Sequence, residues 1–125
     1  MAEKNKIILI VEDDEVLLRA LFLQLKDTGY TLTTATDGEK ALSIAEKVKP
    51  DIILLDLIIP KKDGFEVLKI VRASEILKNI PVLVLSNLGD EESIQKAKKL
   101  GANDYFIKSN VNLAEINKRI EFYLK

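Results

Sequence analysis

Three carboxylates and one ammonium stand at the ends of apolar runs in this chain. Glu12 and Asp13 follow Ile7-Ile8-Leu9-Ile10-Val11, Asp56 follows Ile52-Ile53-Leu54-Leu55, and Lys108 follows Tyr105-Phe106-Ile107. Acids gathered at one spot repel unless a cation joins them, and oxygen-only ligands suit Mg²⁺. A carboxylate nucleophile with a hard metal and a lysine meets the needs of phosphoryl transfer, where charge on the equatorial oxygens must be neutralised. Ser86 ends a further run, Val82-Leu83-Val84-Leu85, where a hydroxyl can donate to a phosphoryl oxygen. The chain has no histidine to activate that serine as a nucleophile, so its role would be to stabilise rather than to attack.

Each residue also has a plainer reading. Asp13 or Asp14 can be the N-cap of a helix, and acids are favoured in a first turn by the helix dipole. Ser86 can be a turn former, Lys108 a structural partner for one acid, and Tyr105 a half-buried core aromatic. Asp56 is harder to dismiss, because no helix begins immediately after it. A carboxylate at the rim of a dry sheet is costly unless it is paired or bound to metal.

The runs that carry these residues are short and rich in branched side chains, and helical patterns separate them. Such runs read as buried parallel strands. The pattern predicts strands at about 7–11, 31–35, 51–55, 82–85 and 104–107. Helices are expected over about 14–27, from Asp37-Gly38, from Asp63, from Gly89-Asp90 and over about 112–123. The first should bury Val16, Leu17, Ala20, Leu21 and Leu25, and the fourth Ile94, Ala97 and Leu100. The half-polar second strand fits a sheet edge. Right-handed crossovers then cover both faces with helices, giving one doubly wound α/β domain over residues 1–125. In such a sheet ligands bind beyond the carboxyl ends of the strands, where residues 12, 13, 56, 86 and 108 all fall.

Composition narrows the classes. At 47% hydrophobic and 31% charged, the 125-residue chain has the make-up of a globular domain. Its 19 basic and 20 acidic residues nearly cancel, so no stripe for a nucleic-acid backbone is evident. Lys61-Lys62 and Lys98-Lys99 read as solvated faces. Without cysteine there is no thiolate metal site, and without histidine no Ser-His-Asp triad. No segment is long and apolar enough for a membrane span, and Met1 to Lys6 is too polar for a signal peptide, so the cytoplasm is the expected address.

Val11-Glu12-Asp13-Asp14, Asp56-Leu57-Ile58-Ile59-Pro60 with Asp63-Gly64, Leu85-Ser86 and Tyr105-Phe106-Ile107-Lys108 together resemble the receiver domains of two-component response regulators. The likeness covers essentially the whole chain, and the joint spacing is specific where each motif alone is weak. It implies a flavodoxin-like (βα)5 fold with strand order 2-1-3-4-5. It implies Asp56 as phosphoacceptor, Asp13 as direct Mg²⁺ ligand, Glu12 acting through water, and the Ile58 carbonyl completing the protein's share of the metal shell. Lys108 would bind the phosphoryl group, with Ser86 and Tyr105 as the switch pair. The implied partners are a sensor histidine kinase or phosphotransfer protein and an output protein on the fourth helix, fifth strand and fifth helix. Whether that face pairs two copies is left open.

Three residues depart from the family pattern. Ser109 stands where proline is usual, Glu12 where aspartate is commoner, and Asn87 where small residues are frequent. Ile58 and Leu88 are expected to flank the path of a hydrolytic water and to exclude it, making the phosphoryl group long-lived. Three rival readings fare worse. A pseudo-receiver would have lost an acid or the lysine. A flavin carrier would not place Glu12-Asp13-Asp14-Glu15 where a phosphate must sit. An aspartate-dependent phosphohydrolase would want an acid at Ile58.

Overall fold

The computed structural model describes residues 5–125. Five strands alternate with five helices: β1 (Ile7–Val11), α1 (Glu15–Leu25), β2 (Thr31–Ala35), α2 (Gly38–Val48), β3 (Ile52–Leu55), α3 (Gly64–Ala73), β4 (Val82–Ser86), α4 (Glu91–Lys99), β5 (Asp104–Ile107) and α5 (Leu113–Leu124). All pairings are parallel and the order is β2-β1-β3-β4-β5, as the resemblance implied. The winding reverses between β1 and β3, so the loops after those strands part in opposite directions and open a crevice. Val11 pairs with Leu55, which brings the residues just beyond each strand side by side.

Strand alternation sends the β1 side chains to two cores. Leu9 and Val11 pack with Ile53, Leu55, Ala41, Ala45, Leu68 and Val71 beneath α2 and α3. Ile8 and Ile10 pack with Ile52, Leu54, Leu21, Leu25, Ile116 and Ile120 beneath α1 and α5. A smaller cluster of Leu57, Val84 and Ala97 sits under α4. Each helix starts on a side chain that accepts from the first-turn backbone: Asp14, Asp37, Asp63, Asp90 and Asn112. These caps satisfy donors that a helix leaves open, and they set where each loop ends.

The expected inward face of α1 needs one correction. Val16 is 79% exposed. With about 3.6 residues per turn, Leu17, Leu21 and Leu25 define the buried stripe and Val16 falls opposite it. On α4, Ala97 is fully buried while Ile94 and Leu100 are only partly so. Among the described residues, no helix is long and apolar enough to cross a membrane.

Candidate functional site

Asp56 leaves β3 with its backbone N–H on Val11 O at 3.0 Å, and Glu12 leaves β1 with its N–H on Ala35 O at 3.0 Å. Both carboxylates are therefore set by sheet bonding that continues one residue past the strands. They are almost fully buried, at 4% and 2% exposed. Lys108 arrives from β5 with its N–H on Ser86 O at 2.9 Å. Its ammonium lies 2.9 Å from Asp56 Oδ2 and 2.9 Å from Glu12 Oε1. Glu12 Oε2 lies 3.0 Å from the same ammonium and also receives Asp14 N–H at 3.0 Å, while Asp56 Oδ1 receives Ile58 N–H at 3.1 Å.

Asp13 completes the cluster from the solvent side. One carboxylate oxygen each from Glu12, Asp13 and Asp56 lie within 4.8 Å of one another. A cavity of about 360 Å³ opens over them, lined by Glu12, Asp13, Asp14, Asp56, Ile58, Asn87 and Lys108. Three clustered carboxylates thus share the cavity with one ammonium, while Asp14 at the rim caps α1. Burial, together with the nearby Asp56 charge, holds the Glu12 carboxyl above its ordinary range despite its bond to Lys108. Burial alone would depress the Lys108 ammonium, but its hydrogen bonds and charge attraction to Asp56 and Glu12 outweigh this and raise it. An all-oxygen donor set with surplus negative charge, one side open to water, fits Mg²⁺. Asp13, Asp56 and the Ile58 carbonyl could hold such an ion directly, with Glu12 behind a water.

Ser86 and Tyr105 meet at one residue, Leu88. Ser86 is fully buried and its Oγ accepts from Leu88 N–H at 3.2 Å. Tyr105 is half-buried and its hydroxyl donates to Leu88 O. The Leu88 side chain packs toward Leu57, Val84 and Ala97 under α4, so it is Asn87, not Leu88, that lines the cavity. The expectation that Leu88 flanks the approach to Asp56 is corrected by that packing. Ile58 does line the cavity and is 59% exposed. No cis peptide occurs among the described residues, the Lys108–Ser109 bond included.

The family model described as the response regulator receiver domain matches residues 8–121. The chain belongs to that family. It is 40% identical over 121 residues to the alkaline phosphatase synthesis transcriptional regulatory protein PhoP of Bacillus subtilis, covering 97% of this chain and 49% of that protein. The receiver thus spans about half the length of that relative. It is 38% identical over 123 residues to sporulation initiation phosphotransferase F of Bacillus subtilis, covering 96% of this chain and 94% of the relative. Among solved structures, the phosphorylated cyanobacterial phytochrome response regulator RcpA superposes with a TM-score of 0.86 at 33% identity, covering 98% of this chain and 96% of the other. Receiver domains are signalling switches of two-component systems that bind Mg²⁺ at an acidic pocket. This receiver has an acidic cluster of Glu12, Asp13 and Asp56 beside Lys108.

Sequence reasoning missed one contact behind the site. Gly38, far from the acids in sequence, touches the β3–α3 loop, and only its place after Asp37 at a helix start hinted at a tight junction.

Proposed function

We propose that the chain, acting as a single receiver unit, is a switch in which Asp56 accepts a phosphoryl group. One observation carries the reading. Asp56 is buried against Lys108 at 2.9 Å while facing an open cavity that it shares with further carboxylates. An Asp56 oxygen forms the new P–O bond as the P–N bond of a donor phosphohistidine breaks, with the electron pair and then a proton going to the imidazole. The chain holds no histidine, so the donor is a separate histidine kinase, a phosphotransfer protein or a small acyl phosphate. Mg²⁺ held by Asp13, Asp56 and the Ile58 carbonyl, with Glu12 through water, would supply charge neutralisation at the phosphoryl oxygens.

Lys108 holds the third side of the phosphoryl group, and Ser86 donates to one of its oxygens. Its Oγ also accepts the N–H of Leu88, the residue whose carbonyl Tyr105 holds, so a hydroxyl drawn toward the phosphoryl group pulls on both. New charge at Asp56 is thereby felt in the β4–α4 loop. The α4–β5–α5 face then changes its affinity for a cytoplasmic output protein or a second copy, with no nucleic acid or membrane bound by this domain itself. α4 suits that role, since Ala97 is its one fully buried side chain.

The test is mass spectrometry after treatment with acetyl phosphate and Mg²⁺. One added phosphoryl group is expected, absent from Asp56→Asn and absent when metal is chelated. Labelling that survives in Asp56→Asn would refute the assignment.

A further inference from the structure

The loop between β3 and α3 carries Ile58, and its two ends are tied near the site. Ile58 N–H bonds Asp56 Oδ1 at 3.1 Å, and Gly64 N–H bonds Leu57 O at 2.9 Å. Its middle is held from outside. Gly38, the first residue of α2, donates its N–H to Pro60 O at 3.1 Å. A Cβ on Gly38 would stand 2.0 Å from the Lys62 carbonyl oxygen and 2.7 Å from Lys62 Cβ. Backbone therefore fills the space a side chain would take. Between those two contacts Lys61 sits at φ 70°, a left-handed conformation that residues with a side chain rarely adopt. Such a conformation persists only where its surroundings hold it.

The wall that Gly38 presents is itself firm. Asp37 is 7% exposed and its Oδ1 accepts Lys40 N–H at 2.8 Å, which fixes the start of α2. Helix propensity does not call for glycine there, since alanine would favour α2 more. The contact with Lys62 does.

We propose that Gly38 is a positioning residue for the metal site, bracing the β3–α3 loop so that the Ile58 carbonyl meets Asp13 and Asp56 at the cavity. The inference rests on the Mg²⁺ reading above. It also carries a thermodynamic obligation: if the brace favours the bound ion, the ion must strengthen the brace by the same factor. Plain packing at Gly38 carries no such obligation.

Two measurements decide it. In the parent protein, hydrogen exchange at the Gly38 amide is followed with and without saturating Mg²⁺. It is expected to slow about tenfold more than exchange at Thr31, whose N–H bonds Lys6 O at the far end of the sheet. Mg²⁺ titrations by NMR then compare Gly38→Ala with Gly29→Ala. Gly29 has φ +87° and open space within 4 Å of where a Cβ would stand, so alanine there lowers stability through strain without touching the loop. Gly38→Ala should bind Mg²⁺ roughly tenfold more weakly, as losses of supporting contacts around a metal do, while Gly29→Ala keeps the parent affinity. Equal slowing at Gly38 and Thr31, or parent-like affinity in Gly38→Ala, overturns the proposal. Should Gly38→Ala not fold, the exchange comparison in the parent decides alone. A parent that binds no Mg²⁺ would strike down the metal reading itself, and with it this one.

Discussion

Two polar clusters sit at opposite ends of the same sheet, and they are built on opposite terms. At the carboxyl ends of the strands, Glu12, Asp13 and Asp56 cluster beside Lys108 under an open cavity. At the other end, Arg72 reaches from α3 to neutral acceptors: Gly101 O at 3.0 and 2.8 Å, Ile80 O at 2.7 Å, Lys78 O at 3.1 Å and Asn103 Oδ1 at 2.9 Å. Asn103 Oδ1 also takes Val82 N–H at 2.8 Å, so the guanidinium ties α3 to the starts of β4 and β5. Burial pushes the Arg72 guanidinium pKa down, and no carboxylate pairs with it among the described residues. The Arg72 cluster spends its donors on acceptors the chain already supplies, and it is complete. The acidic cluster holds more negative charge than its one lysine offsets, and in the proposed reading a metal ion supplies the difference.

The largest effect should come from removing the exposed member of the unfinished cluster. Asp13→Ala is expected to weaken Mg²⁺ binding by at least the roughly 10–100-fold that supporting residues contribute. Without metal the variant should be no less stable than the parent, because a like charge has gone. Isothermal titration and thermal melts check both halves. Parent-like Mg²⁺ affinity in Asp13→Ala would mean the acids serve the fold, as Arg72 does.

Arg72→Met should give the reverse pattern. The carbonyls of Ile80 and Gly101 lose a charged donor, and such losses cost about 2–3 kcal/mol when partly buried. For a chain of this size that is a fall in Tm of roughly 10 °C. Phosphorylation of the folded fraction at Asp56 should be unchanged. Arg72→Lys should recover little, since one ammonium cannot reproduce the planar fork. A stable Arg72→Met, or one that folds but cannot be phosphorylated, would erase the contrast between the two ends.

The two clusters also differ in how much of them the sequence discloses. Glu12, Asp13, Asp56 and Lys108 are legible because each interrupts an apolar run at a strand end, where topology alone brings them together. The strand order and the five helix starts are legible on the family pattern and on local signals: period, caps and turn residues. Arg72 is not, because a basic residue in the last turn of a helix is ordinary and its partners are mostly backbone carbonyls that any residue carries. Val16 is misread because apolar type alone does not say which of two neighbouring residues, Val16 or Leu17, lies on the buried stripe. Leu88 is misread because loop direction after β4 depends on its packing against Leu57 and Ala97, which is tertiary.

Metal alone should raise stability in the acidic cluster and leave the Arg72 end untouched. An ion that binds only the folded state at ten times its Kd adds about 1.4 kcal/mol. For this length that is a rise in Tm of about 5 °C, absent in Asp13→Ala and retained in Arg72→Met. Differential scanning calorimetry with Mg²⁺ and with chelator reads it directly. An equal rise in Asp13→Ala would place the ion elsewhere.

The smallest effect concerns how long the completed cluster stays so. Loss of the phosphoryl group needs a water in line with the Asp56–phosphorus bond, and correct placement of a nucleophile is worth orders of magnitude. Ile58 is the apolar side chain that lines the cavity, while Leu88 packs beneath α4. Asn87 at the cavity rim could hold a water, so the exclusion expected of two bulky residues falls to Ile58 alone. Ile58→Asn should therefore speed dephosphorylation several-fold under saturating Mg²⁺, and Leu88→Glu should change it chiefly by disturbing Tyr105 and α4. The backbone carbonyl is retained in Ile58→Asn, so Mg²⁺ affinity should stay near that of the parent and separate water access from metal binding. Decay rates of the phosphorylated protein, followed by mass spectrometry, test this. Parent-like decay in Ile58→Asn with intact metal affinity would show that side-chain occlusion does not set the lifetime, and would shift attention to Asn87.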